Sequence, residues 1–417
     1  MDLKEIGRRV TLERSHAGMT QRELADRAEL SQPTLNRIEA GERAALTIAE
    51  LDRLALALDV PLTRLTRGNP VGERMKVAAR AGQQMLEDLQ SASRRAEEIL
   101  ALDDRMDAFA LPTGIHGPGQ LPVLLCKLPT ATLPAEDQGR LLAEAVREKL
   151  ALGLGPVLDL AELAESPMGL DTAALDLPDG VSGITARDPG RGVVLVLINT
   201  AHVPERQRFT LAHELGHVLF GDGAEAHLLD GEPTLAETRC NSFARHLLAP
   251  SQGVARWLAE NTDGTPGLKE CAMAARHYEV SLKVILIQCQ KLGLLTARAA
   301  EALGGWTGRQ LAWAYGWGPQ YAAACDAAAR VRPPRRILER AVEAYRAGRI
   351  GVRAVAALGG EDPRTTEREL REAGITPPTA RPPRRVDVAS LIARRTAGGG
   401  EGSGLPAMGN GDGDSQE

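Results

Sequence analysis

The chain has 417 residues, with 50 Lys and Arg against 55 Asp and Glu, for a formal net charge of −5. Such a length predicts two to three domains, and the near-balance of charge gives no bulk case for nucleic-acid or acidic-membrane binding. Five cysteines, an odd count without a C-x-x-C pair, argue against a disulfide scaffold or a zinc knuckle. The start lacks a signal-peptide apolar core and no run approaches the roughly 18 apolar residues of a membrane span, so a cytoplasmic, reduced protein is expected. Aromatics are only 3% of the chain, and helices packed by small aliphatic side chains are expected: a mainly α protein with a small β-sheet (α+β).

Residues 1–68 read as five short helices. Thr20-x-x-Glu23 is a capping box opening a helix over Gln21 to Ala28, Ser31 caps a helix from Gln32 to Glu39, and Thr47 caps one carrying Leu51, Leu54, Ala55 and Leu58. Two short helices joined by a tight turn, the second exposing polar side chains, form a helix-turn-helix. The stretch Thr20-Gln-x-Glu-Leu-Ala followed by Ser31-Gln-x-Thr-Leu-x-x-Ile-Glu-x-Gly41 closely resembles the lambda-repressor-like (XRE) DNA-binding domain. The resemblance implies that the helix from Gln32 enters the major groove of a double-stranded operator. Gln32 and Arg37, with Asn36 beside them, would then reach base edges, and Gln21 and Thr34 would contact phosphates. Pro33 departs from the polar residue common there. Residues 1–69 hold eleven Lys and Arg against eleven Asp and Glu, so affinity is expected to be modest or to need dimerisation. A helix-turn-helix used only for protein contacts is the other reading.

From Pro70 to about Ala110, apolar residues recur at mixed three- and four-residue steps, predicting one long helix, a spacer or a dimerising coiled coil; the linker is placed at 70–112. Pro112 to Pro134 reads as a Pro/Gly-rich connector. A third unit, 135–295, opens with a helix at Gly139 to Leu150. A short strand at Gly183 to Ala186 and a β-branched run, Gly192 to Asn199, follow as a hairpin around Asp188-Pro-Gly-Arg-Gly192.

Phe209-Thr-Leu-Ala-His213-Glu214-Leu-Gly-His217 contains H-E-x-x-H. On a helix, residues four apart share a face, so His213 and His217 can aim both imidazoles at one metal ion, zinc by this signature. Glu214 stands where a carboxylate can take a proton from water. Pro204 suits the first turn of this helix, and Gly221-Asp222-Gly223 stops it. A catalytic zinc takes a third protein ligand, and Glu237 is the best candidate, in line with Cys240, Ala244 and Leu248 on a second helix. Thr234-x-x-Glu237 is also a capping box, which would satisfy Glu237 as an ordinary helix-start residue; Asp222, Asp230 and Glu232 are rival acids. Asn241 is a candidate for orienting a ligand, while His227, His246 and Tyr278 are the candidates for stabilising an oxyanion.

Arg208-Phe-Thr-Leu-Ala-His-Glu-Leu-Gly-His217, Glu237-x-x-Cys-Asn241-x-Phe-Ala and Leu-Leu-Ala-Pro250 together resemble the ImmA/IrrE family of metallopeptidases over about Leu141 to Leu295. The family's Glu-x-Glu-Ala-Asn block here reads Glu-Thr-Arg-Cys-Asn, keeping only the first Glu. The resemblance implies a zincin-like domain in bacterial transcriptional regulation that cleaves or relieves a repressor, with His213, His217 and Glu237 as zinc ligands and Glu214 as the catalytic glutamate. A zinc endopeptidase brought to a promoter or repressor is one expectation. The alternative is a non-proteolytic, antitoxin-like DNA-binding regulator whose zincin-like domain senses or binds a partner.

Leu268 to Arg276 and Ser281 to Leu292 look like a second helix-turn-helix that belongs to the peptidase unit. Residues 296–382 read as helical (Thr307 to Tyr315, Pro319 to Val331, Pro334 to Ala347, Thr365 to Ala373) without a chemical constellation, and 383–417 as a disordered tail.

Overall fold

The structure is a computed structural model that describes residues 3–43, 45–58, 60, 62–67, 75–81, 86–109, 132–222, 227–228 and 234–378. The expected 383–417 tail and most of the 112–134 connector lie outside these residues.

The chain opens with five helices, α1 (Leu3–His16), α2 (Gln21–Arg27), α3 (Gln32–Glu39), α4 (Ile48–Ala57) and α5 (Leu62–Arg67). Thr20 with Glu23 and Thr47 with Glu50 form full capping boxes, and Ser31 caps α3 through the Thr34 N–H. Ile6, Val10, Leu24, Leu35, Ile38, Leu51 and Leu54 close a small separate core. Each such aliphatic contributes roughly 1.5–3 kcal/mol by leaving water.

The expected long helix over 70–110 is corrected. Lys76–Ala81 is a strand, β1, and only Leu86–Asp107 is helical, as α6. β1 runs antiparallel to Gly183–Asp188 (β3), with Ala78 opposite Thr185, and parallel to His227–Leu228 (β5). Pairing with the edge of an existing sheet gives this segment's backbone its hydrogen-bond partners, a tertiary gain that local periodicity does not register.

The sheet is completed by β2 (Asp171–Leu175) and β4 (Val193–Asn199), in the order β2-β4-β3-β1-β5. β2 lies parallel to β4, while β3 and β4 form the antiparallel hairpin read from the sequence. All seven residues of β4 are buried because the sheet is covered on both faces. Val194, Val196 and Ile198 face one core with the helices that carry the H-E-x-x-H motif. Val193, Leu195 and Leu197 face another, with Ile99, Leu102 and Met106 of α6 and Ile337, Ala341 and Ala344 of α17 (Arg335–Arg346). α6 is therefore a cover for the sheet, not a free coiled coil. Its Asp103, fully buried, holds Arg336 at 3.0 Å and Arg191 at 2.8 Å and also pairs with Arg340. Arg336 in turn reaches Asp171 of β2 at 2.5 Å.

On the first face lie α7 (Ala135–Lys149), α8 (Leu160–Glu165), α9 (Pro204–Phe220), α10 (Leu235–Leu248), α11 (Ser251–Asn261), α12 (Leu268–Tyr278) and α13 (Leu282–Lys291). The C-terminal region adds α14 (Ala297–Leu303), α15 (Gly308–Ala314), α16 (Gly318–Ala328), α17, α18 (Val352–Gly359) and α19 (Pro363–Glu372), so it is helical as expected. Arg332 pairs its backbone with Ala174 of β2, extending the sheet edge into this region.

Candidate metal centre and helix-turn-helix surface

α9 begins with Pro204 at its first turn and ends at Gly221, whose φ of 69° closes the helix in the left-handed region where glycine carries no side-chain penalty. Leu211 through Leu219 are all buried, so the motif sits in a helix enclosed on every side. α10 packs across it, and the two helices bring His213, His217 and Glu237 together, each less than a tenth exposed.

The two imidazoles approach through their Nε2 atoms, 3.0 Å apart. The carboxylate of Glu237 lies between them, Oε2 at 3.5 Å from His213 Nε2 and Oε1 at 3.3 Å from His217 Nε2. Metal–ligand bonds of about 2.0–2.2 Å on a tetrahedron place ligand atoms about 3.3–3.6 Å from one another, so this donor triangle has the span of a small divalent cation. Thr234 accepts from the Glu237 N–H at 3.2 Å, so the cap uses Glu237's backbone while its side chain faces the histidines.

The outer nitrogens are fixed from behind. Asn241 Oδ1 lies 3.1 Å from His213 Nδ1, and Asp222 Oδ2 lies 2.9 Å from His217 Nδ1. A partner accepting from Nδ1 puts the lone pair of the ring on Nε2, the atom that would face a metal. Asp222 is itself ion-paired with Arg239. Burial would lower the pKa of His217, but hydrogen bonds with Asp222, Cys240 and Glu237 outweigh it and push it up to about 12. Acceptors crowd this imidazole, and a bound cation would offset that surplus of negative charge.

His217, Asp222 and Cys240 also lie close enough to form a second donor group. Its chemistry fits a metal less well. It would use the Nδ1 face of His217, Arg239 already neutralises Asp222, and burial pushes the Cys240 thiol up to about 11, where it stays protonated.

Glu214 is buried, and Thr185 donates a 2.5 Å hydrogen bond from Oγ1 to its Oε2. Sheet alternation explains the contact. Ile184 and Ala186 of β3 point to the far core, so Thr185 and Arg187 point towards α9, and Arg187 donates to the His217 carbonyl at 3.3 Å. Neither residue was singled out from the sequence, where the signal was a polar residue out of phase with the apolar ones. Asp222 was weighed only as a rival ligand, and it is placed behind His217. Asp230 and Glu232 lie outside the described residues.

Two of the candidates for stabilising an oxyanion have other partners. His246 is bonded to Ser251 at 3.3 Å and sits beside Gln288, and Tyr278 donates to the Leu154 carbonyl at 3.2 Å, both as core groups. The His227 side chain lies outside the described residues.

In the N-terminal bundle, Gln32, Asn36 and Arg37 are all exposed on α3. Thr34 is half-buried, with its hydroxyl 2.7 Å from that of the Ser31 cap. Gln21 donates to Glu39 at 2.6 Å, and Arg14 pairs with the same carboxylate at 2.6 Å. Both are therefore engaged within the bundle. The sequence pattern could not show this, because Glu39 comes from a different helix.

Two family models match separate stretches of the chain. Residues 12–65 match the helix-turn-helix family, and residues 171–290 match the IrrE N-terminal-like domain. The radiation response metalloprotease IrrE of Deinococcus radiodurans is 35% identical over 173 residues, covering 35% of this chain and 49% of that protein. The protein of the same name from Deinococcus deserti is 36% identical over 117 residues, covering 26% of this chain and 41% of its own length. The chain thus spans about half, or less, of the curated relatives it matches. A solved structure of Bacillus thuringiensis PlcR with the peptide PapR7 and DNA aligns over 94% of this chain and 98% of its own, at 12% identity with a TM-score of 0.16, too low to carry an argument.

Proposed function

We propose that this chain, which joins an XRE-type helix-turn-helix domain to an IrrE-like metallopeptidase domain, is a DNA-binding zinc endopeptidase that hydrolyses a peptide bond in a repressor or another regulatory protein. The observation that carries the reading is the buried donor triangle of His213, His217 and Glu237, with Glu214 buried next to His213 on the same helix. A domain that only bound a partner would have no use for a carboxylate buried there, at the cost of its desolvation.

His213, His217 and Glu237 would hold the metal, and the mixed nitrogen–carboxylate set is that of catalytic zinc. When bound, the ion supplies Lewis-acid polarisation of the scissile carbonyl and lowers the pKa of water. Glu214 then accepts the proton of the attacking water and returns it to the leaving amine. Thr185 holds Oε2 of that carboxylate, leaving Oε1 to meet the water. On α3, Gln32 and Arg37 would read bases, with Asn36 beside them. Thr34 and Gln21 would reach phosphates only by giving up their present partners. Among the described residues no helix is long and apolar enough to cross a membrane, in keeping with action at an operator in the cytoplasm.

The test is N-terminal peptide profiling of cells expressing wild type or Glu214→Gln at equal level. A new N-terminus in a DNA-binding protein that appears only with wild type supports the reading. Identical profiles together with an unchanged regulatory output would replace it with the non-proteolytic regulator.

A further inference from the structure

One cavity lies away from the metal-ligand triangle. It has a volume of about 350 Å³ and is formed where the first turn of α9, the α12–α13 turn and helices α15–α16 meet. Sites for small molecules start at roughly 300 Å³. Its position on α9 separates it from His213, because Glu205 lies eight residues before that histidine, about 12 Å along the helix axis.

The walls are apolar, with Ala275, Leu282 and Leu311 among the side chains that form them. Four charged groups line it and their pairing is uneven. Arg208 and Glu279 satisfy each other at 3.2 Å. Glu205 accepts a hydrogen bond from Tyr321 Oη at 2.9 Å but has no cationic partner among the described residues. Arg276 lies over the Trp317 ring, 5.1 Å from its centroid, and has no anionic partner among them. The cavity thus offers one uncompensated carboxylate and one uncompensated guanidinium above an apolar floor. Gly308 makes the arrangement possible, since a Cβ there would stand 2.5 Å from Glu205 Oε1 and 2.7 Å from Tyr321 Oη.

We propose that this cavity binds a small zwitterion with an apolar side chain, of the size and chemistry of a free aromatic or branched amino acid. Its ammonium would meet Glu205, its carboxylate would take two hydrogen bonds from Arg276, and its side chain would displace water from the apolar floor. An occupant would bridge α9 and the C-terminal helices, tying the helix that carries His213 and His217 to the 296–378 region. Binding does not depend on the proposed hydrolysis and can be read without it.

Isothermal titration calorimetry of the full chain with L-phenylalanine and L-leucine tests the proposal, with zinc content measured on the same samples. Saturable binding is expected with a Kd below about 1 mM. N-acetyl-L-phenylalanine, which lacks the ammonium, and phenethylamine, which lacks the carboxylate, should each bind about tenfold or more weakly. Arg276→Gln, at an exposed position, should abolish the preference for phenylalanine over phenethylamine. Gly308→Ala, which displaces the Glu205 carboxylate, should weaken phenylalanine as Glu205→Gln does. Absence of saturable binding by either amino acid overturns the proposal, and so does equal affinity for N-acetyl-L-phenylalanine. Loss of zinc with phenylalanine binding intact would count against the proposed hydrolysis alone.

Discussion

A hydrogen bond to an ionised group contributes about 1.5–3 kcal/mol, which gives the Thr185–Glu214 contact a measurable consequence. Thr185→Val keeps the shape of β3 and removes the donor to Glu214 Oε2. Peptide hydrolysis should fall about 10- to 100-fold, mainly in kcat, with metal content unchanged. A variant with wild-type turnover would show that Glu214 needs no such support. His246 gives a second single-residue prediction. Burial, then the nearby Arg245 and Arg140, push its pKa down to about 4 from an ordinary 6.5. Folded protein keeps it neutral, whereas unfolded chain takes up a proton between those values. Its contribution is therefore complete above pH 6.5 and is lost as pH falls from 6.5 to 4, by at most about 3 kcal/mol. Urea unfolding at pH 7 and pH 5 should show the loss, and His246→Gln should flatten it. An equal pH dependence in the variant would place the titration elsewhere.

Among the elements, α9 and α10 were legible because their information is local. The i, i+4 histidines, the Pro204 start, the Gly221 stop and the Thr234 cap are fixed by spacing within one helix. β4 was legible as an unbroken β-branched run. The parts that were not legible are held by partners distant in sequence. β1 owes its conformation to β3, about a hundred residues later. The burial of α6 depends on arginines more than 200 residues away, Arg336 and Arg340. Gln21 looked free for a phosphate until α3 supplied Glu39. The α6 attachment predicts a large effect. Asp103→Ala leaves buried Arg340 with Asp107 alone and Arg336 and Arg191 with one carboxylate fewer, so it should cost about 1.5–3 kcal/mol of stability. Thermal unfolding near the wild-type value would mean that Asp103 adds nothing to the hold of α6 on the sheet.

At the scale of the molecule, the helix-turn-helix bundle is tied to α6 through Arg64, which pairs with Glu13 of α1 at 2.7 Å and with Glu97 of α6. α6 in turn lies under the sheet whose other face holds α9. The helix-turn-helix bundle and the candidate metal centre therefore share one framework, with the exposed face of α3 left available. If that face reads bases, Gln32→Ala with Arg37→Ala should cost about 2–5 kcal/mol in operator affinity, with much less effect on nonspecific DNA. Equal losses on both DNAs would reduce those residues to general contacts. The proposed hydrolysis requires His213, His217 and Glu237 to form one metal site, which elemental mass spectrometry of zinc per chain in purified wild type, His213→Ala and Glu237→Ala would measure. About one zinc per wild-type chain, lost in both variants, is the predicted result. Zinc retained in Glu237→Ala would remove that carboxylate from the ligand set, and wild type that takes up no zinc on reconstitution would contradict the peptidase reading itself.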